Sequence, residues 1–576
     1  MTALTNPILP GFSPDPSIVR VDDWYYLANS SFEWFPAVPI HRSKDLQTWE
    51  FAGSFRGHED SLGLQGIQDS GGVWAPSLSW ADGTFWLVFT VVTGFGGPHK
   101  DMDTYVTRAP EVSGPWTTPC RVTTTGFDPS LFHHEGRHWL LNMEWDHRPN
   151  ARGRFAGINL QELDPDGTTT SSEPRTIHRR KELIEGPNIY FFDGFFYLML
   201  AEGGTGSNHG IAMMRSRDLF GPYAEDPHGP VLTSRDKPTH ALQKAGHGEI
   251  VVDQDGDPFL VHLASRWLEK KGRQYSILGR ETCVQRLTRT DDQWLRLENG
   301  GWHPAIRVKG PTPPAPPTAE LVPTPRDAQG KAESESSFSG NDGDVATVSW
   351  PWNTLRRPAH QDWASLTQRP GWLRLRGGTS TDSLRDQSLV ARRLTSTSLD
   401  VSVLIEASPK NYGQSAGLIF YYNTDSYFYL RTTVAEADGR LTAGDPQYEK
   451  VLEIYEKDPV TGLQAHDRVV VPADTPLRLI ASLRDHSLQF SWSHPYGRES
   501  LIGPLLNSLN LSDDHGNKLR FTGAFVGVTA QDLRDRTFTA DFHEFTYSPW
   551  TPSITSSSLP PSNPFRRCTT RGPGSD

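Results

Sequence analysis

One pattern recurs five times within the first 265 residues, and it constrains the fold of this chain more than any other feature. The copies read SPDPSIVRVDDWYYL from Ser13, WAPSLSWADGTFWLV from Trp74, FDPSLFHHEGRHWLL from Phe127, EGPNIYFFDGFFYLM from Glu185 and GHGEIVVDQDGDPFLV from Gly246. Each runs from a small or Pro-containing start through a short apolar stretch and a polar turn into an aromatic-rich stretch, which is the pattern of a β-hairpin. Aligned on Pro16, Pro76, Pro129, Pro187 and Gly248, the copies are spaced by 60, 53, 58 and 61 residues. That is near the period of propeller blades, so the expected fold of this half is a five-bladed β-propeller.

In a propeller the first strand of every blade runs beside the central channel, so equivalent repeat positions meet in space. Asp15, Asp128 and His247 share one such position, Ala75 occupies it in the second copy, and Glu185 sits one residue before it. Carboxyls converging on a partly dry channel raise one another's pKa, a cost that chemistry justifies. Hydrolysis of a glycosidic bond by acid/base catalysis needs one ionised carboxylate to activate water and one protonated carboxyl to donate to the leaving oxygen. Any single Asp-Pro also fits a turn or cap. Three acids in one repeat frame point instead to a constellation with distinct roles.

The segments NPILPGFSPDPSIVR, SSFEWFPAVPIHRSKDLQTWE, SGGVWAPSLSW, TGFDPSLF, IEGPNIY and LGRETCVQRL resemble glycoside hydrolase family 43, in particular its two-domain β-xylosidases. The resemblance implies that Asp15 is the general base, Glu185 the general acid, and Asp128 the group that raises the acid's pKa and orients it. It also implies an inverting reaction, in which base and acid stand about 6.5–9.5 Å apart. Phe32, Trp74 and Trp145 match aromatic positions that wall the sugar pocket, with blade packing as the alternative. Arg280, in GRET, matches a residue that hydrogen-bonds sugar hydroxyls, with a surface ion pair as its alternative. His247 is consistent with a structural histidine, a water site, or the calcium that some relatives bind beneath the site. Calcium needs several oxygen ligands, and there is no HExxH, paired-Cys or EF-hand pattern. No cofactor is expected to be required, and calcium stays open.

From Gly310 to Asp344 the chain is rich in Pro, Ser, Gly and charge, which marks a semi-rigid spacer. The expected organisation is a propeller over 1–310, a linker over 311–344, a β-sandwich over 345–550, and a disordered tail over 551–576. Alternating segments SLDVSVLIEA, SAGLIFYYN, SYFYLRTTV, LRLIASLRD, LQFSWSH, AFVGVTAQD and FTADFHEFTY supply the sandwich strands. VSWPWNTLRRP, SAGLIFYYNTDSYFYL and FTGAFVGVTAQD extend the resemblance to this half. In the two-domain xylosidases a sandwich loop closes the pocket, and Phe525 in GAFVG is the candidate for that contact, a buried core Phe being the alternative.

Composition narrows the function classes. A chain of 576 residues exceeds what one core serves, and 51 Gly, 45 Pro and 11% aromatics suit turn-rich β structure. A net charge of −12 argues against nucleic acid or an anionic membrane as partner. The start MTALTNPILPGF lacks a basic flank and an apolar core, no run is long enough to span a bilayer, and the three cysteines give no disulfide framework. A cytoplasmic location is the expectation. The expected activity is an exo-acting β-1,4-xylosidase that releases xylose from xylobiose and xylooligosaccharides. α-L-Arabinofuranosidase or dual activity is the alternative, and a non-catalytic carbohydrate-binding propeller is the third reading. Relatives of this architecture often form dimers or tetramers, so a homo-oligomer is also an expectation.

Overall fold

Five sheets radiate from a common channel, each built from one contiguous stretch of chain in the computed structural model, which describes residues 3–55, 59–151, 153–312, 338, 346–436, 448–516 and 518–550. The channel-side strands are Ser17–Val21, Gly72–Ala81, Gly126–His134, Ile184–Phe192 and Gln243–Val252. Each pairs antiparallel with the strand that follows it, so the five sequence hairpins are the inner halves of five blades. Their second strands are buried along nearly their whole length, as in the pattern iBBBBBBBBei of Thr84–Gly94. Blades pack face to face, which is why these strands read as continuous Phe, Trp, Leu and Val runs rather than as alternations. The N-terminal strand Ala3–Thr5 pairs with Arg307–Lys309 beyond the fifth blade and ties the two ends of the propeller together.

Residues after 346 form a sandwich of an eight-stranded and a seven-stranded sheet. Ser398–Ala407, in the seven-stranded sheet, shows burial at every second residue, with one face inward and one toward solvent. Gln414–Asn423, in the eight-stranded sheet, is buried at every residue because that sheet has two covered faces. Leu418, Phe420 and Tyr422 point into the sandwich core, while Ile419 and Tyr421 join Phe12, Phe32 and Trp34 of the propeller. The first blade also lends a strand to this sheet, for Trp34–Phe35 pairs with Asn353–Leu355. Propeller and sandwich therefore share both a core and a sheet.

Strands Tyr448–Asp458, Gly462–Val470 and Ser500–Asn507 were not among the expected segments. Gly462–Val470 is exposed at most positions, with the pattern ieeeieeie, so no apolar alternation marks it. Most of the expected linker, and all of the expected tail 551–576, lie outside the described residues. Phe338 of that linker region is described, and it packs on Trp352 and Phe545 of the sandwich.

Candidate active site

Four of the five channel-side strands break register at the same place, while the first, Ser17–Val21, pairs in unbroken register just after Asp15. Bulges fall between Trp74 and Ser77, Phe127 and Ser130, Glu185 and Asn188, and around His247. At this position the backbone turns left-handed, with φ of 50° at Asp15, 52° at Asp128, 53° at Gly186 and 33° at His247. Asp tolerates this region better than most side chains, and a bulge re-aims the residue it carries. Non-glycine residues held there cost about 1–3 kcal/mol each and cluster where function needs them. The fourth blade differs because a Cβ on Gly186 would lie 2.8 Å from Nε2 of His247. Glycine is required against that ring, and the acid of this blade stands one residue earlier, at Glu185.

The three acids open into one cavity of about 360 Å³. Arg280 Nη1 donates to Asp15 Oδ1 at 3.0 Å, and Ser30 Oγ donates to Asp15 Oδ2 at 2.6 Å. Burial works to raise the Asp15 carboxyl, but Arg280, His247 and Ser30 outweigh it and hold it below the usual range. Glu185 has no such partners. Burial and the Asp15 charge push it up to about 7 against the opposing pull of Lys100 and Arg280. Asp128 is raised as well, first by burial and then by Glu185 and Asp15. The neighbours thus favour the charged form of Asp15 and the protonated form of the acids facing it. His247 Nδ1 lies 3.6 Å from Asp15 Oδ1 and 3.9 Å from Asp128 Oδ2, and burial lowers its pKa against the pull of Asp15.

Phe32, Trp74 and Trp145 line this cavity, as do Arg280 and His247. Arg280 is only 2% exposed, so the surface ion-pair alternative does not apply. Phe525, the expected closing contact, does not line the cavity. It is fully buried and stacks on Trp34, with centroids 3.7 Å apart, beneath the site rather than in it. Phe525 opens strand Phe525–Asp532 of the sheet with two covered faces, so its side chain goes to the interdomain core. The roof comes from the loop just before it, through Phe521 and Leu519. Phe521 stacks on Phe32 with centroids 6.1 Å apart.

Lys100 was also outside the sequence reading. Its ammonium sits over Trp74, Phe127 and Trp145 at 4.3–4.6 Å from the ring centroids. Burial lowers its pKa to about 8, against the pull of Glu185 and Asp128. It comes from the loop after strand Thr84–Gly94, where no repeat pattern marks it.

The model of glycosyl hydrolases family 43 matches residues 4–295, half of the chain, and covers all three acids. The chain belongs to glycosyl hydrolase family 43. A second model, the beta xylosidase C-terminal concanavalin A-like domain, matches residues 344–548. The chain is 39% identical to xylosidase/arabinosidase 43B of Humicola insolens, over 95% of this chain and 98% of that protein. It is 36% identical to a xylan 1,3-beta-xylosidase of a Vibrio species, over 95% and 99%. The crystal structure of xylan beta-1,4-xylosidase from Bacillus halodurans C-125 superposes with a TM-score of 0.86 at 39% identity, over 95% of this chain and all of that one. As a family 43 member the protein is an inverting glycoside hydrolase acting on carbohydrate.

Beneath the cavity the channel narrows to a space of about 10 Å³ lined by His247, Asp128 and Glu249 among others. Calcium takes about six to eight oxygen ligands. Glu249 already accepts from Ser17 Oγ and the Ile18 amide. Asp128 faces the substrate cavity too, and among the described residues no group of three or more potential ligands could hold a metal. The acid/base chemistry of the site is carried by the chain's own carboxyls.

Proposed function

We propose that this protein is an exo-acting β-xylosidase that removes xylose from the non-reducing ends of xylobiose and short xylooligosaccharides. The observation that carries this reading is a pair of buried carboxyls on one cavity with opposite protonation, Asp15 held ionised by Arg280 and Glu185 raised to about 7. Such a pair assigns base and acid. Asp15 takes a proton from a water, whose oxygen forms the new bond to the anomeric carbon. As that bond forms, the bond to the leaving oxygen breaks and Glu185 gives that oxygen its proton. Asp128, raised by burial and then by Glu185 and Asp15, is the group that tunes and orients the acid in this reading. Aromatic faces of Phe32, Trp74 and Phe521 flank the cavity and suit the apolar face of a pyranose. The Phe521 roof favours trimming of chain ends over cutting within a polymer.

α-L-Arabinofuranosidase activity is the second reading, favoured by the Humicola relative named for both sugars. The Vibrio relative keeps a 1,3-linkage in view beside the 1,4-linkage. Purified protein should release xylose from xylobiose, and from 4-nitrophenyl β-D-xylopyranoside faster than arabinose from the α-L-arabinofuranoside. D15A and E185A should lose about 10²–10⁴-fold in kcat on xylobiose, the usual contribution of a positioned acid or base. Folded variants as active as wild type would remove both residues from the mechanism.

A further inference from the structure

One buried serine bonds both the Trp74 wall and the Phe521 roof of the pocket without lining the cavity itself. Ser70 is 1% exposed and holds φ at +63°, a left-handed conformation that serine adopts only under constraint. Its three polar groups are all engaged. The Ser70 amide donates to Glu33 Oε1 at 3.0 Å, behind Phe32. Its carbonyl accepts from the Trp74 indole Nε1 at 3.0 Å. Its hydroxyl oxygen accepts from the Phe521 amide at 3.1 Å, across the domain boundary. The carbonyl of Phe521 accepts from Arg280 Nη2 at 3.0 Å, on the same guanidinium whose Nη1 holds Asp15. The Phe521 peptide is therefore gripped at both ends, by the general-base pair on one side and by Ser70 on the other.

The neighbouring Asp69 fixes Ser70 in turn. It pairs with Arg356 Nη2 at 2.6 Å and accepts from Thr424 Oγ1, both residues belonging to the sandwich. Arg356 Nε also donates to the Ile67 carbonyl at 2.7 Å. The segment 67–70 is thus a strap from the propeller, riveted to the sandwich and carrying the roof contact at its end.

We propose that Ser70 is a positioning residue for the glycosidase reaction, clamping the Phe521 peptide so that the sandwich roof stays closed on the Phe32 and Trp74 walls. This rests on the β-xylosidase reading for its substrate, but the clamp is a physical contact that is read without substrate. Phe521 contributes a flat face both to bound substrate and to the transition state, so loosening it weakens binding uniformly and raises KM more than it lowers kcat.

The test uses two variants of the full chain. S70A and S70G both delete the oxygen that accepts from Phe521, but glycine relieves the left-handed strain while alanine keeps it. S70G should therefore melt at a higher temperature than S70A. Both should nonetheless raise KM for xylobiose by about fivefold to tenfold, the cost of one unpaired donor, with kcat within about twofold of wild type. Hydrogen exchange in the peptide spanning 518–524 should speed up equally in both. The proposal is overturned if exchange there is unchanged in both variants, or if KM follows stability, with S70G like wild type and only S70A impaired. A wild type that turns over no glycoside would contradict the substrate reading, and the exchange measurement would still decide the clamp.

Discussion

Asp15 and Glu185 are both buried carboxyls at the same channel mouth, and their neighbours alone make one a base and the other an acid. Arg280 and Ser30 bind directly to Asp15, whereas Glu185 faces Lys100, whose own charge burial weakens. The active form has Asp15 ionised and Glu185 protonated, so kcat/KM should fall tenfold per pH unit above about 7 and hold on the acid side until Asp15 itself takes a proton. The same shift sets a stability trend. Glu185 rises from an ordinary 4.5 to about 7 in the folded protein, so its contribution is complete below the unfolded value and is lost as pH rises through the folded one. E185Q never ionises there and should gain thermal stability on wild type between pH 5 and 8, by at most about 3 kcal/mol. A constant difference across that range would contradict a raised acid. The three acids and His247 were legible because each recurs at a counted position of a repeat. Lys100 was not, since it lies in an irregular loop and reaches the site only through the rings it covers.

At the scale of elements, the shared bulge is what turns five ordinary hairpins into a site. It re-aims a residue in four of the blades, and in the fourth the His247 ring leaves room only for glycine at the position its neighbours fill with Asp or His. G186A would place a Cβ 2.8–3.1 Å from the His247 ring at a φ of 53°. It should cost about 1–2 kcal/mol in backbone strain and push the imidazole off Asp15. We expect a lower melting temperature together with at least a tenfold loss of kcat/KM, and unchanged kinetics would show that His247 does not support the base. Sandwich strands with apolar alternation were legible, but the assignment of a roof residue to GAFVG failed for a reason the sequence hides. A run buried on both faces looks the same whichever face a residue takes, so Phe525 could not be distinguished from a pocket residue until the second covering layer was known. The Trp34–Phe35 strand escaped for a related reason, being only two residues long and pairing across to Thr354 and Leu355.

The whole molecule matters because the pocket is finished by two domains. The propeller supplies acids and walls, the sandwich supplies Phe521, and a shared sheet and the 67–70 strap hold them in one relation. Repeats disclosed the propeller and composition disclosed the spacer, but no single-chain pattern reveals which loop of one domain meets which wall of the other. The outcome of that assembly is a pocket in which water is activated by Asp15 while Glu185 protonates the leaving group, a single displacement. The most direct test is to follow, by proton NMR, the anomer of xylose first released from 4-nitrophenyl β-D-xylopyranoside, before mutarotation scrambles it. The account predicts α-xylose as the first product, and release of β-xylose would contradict it, because retention requires a covalent intermediate on one of these carboxyls.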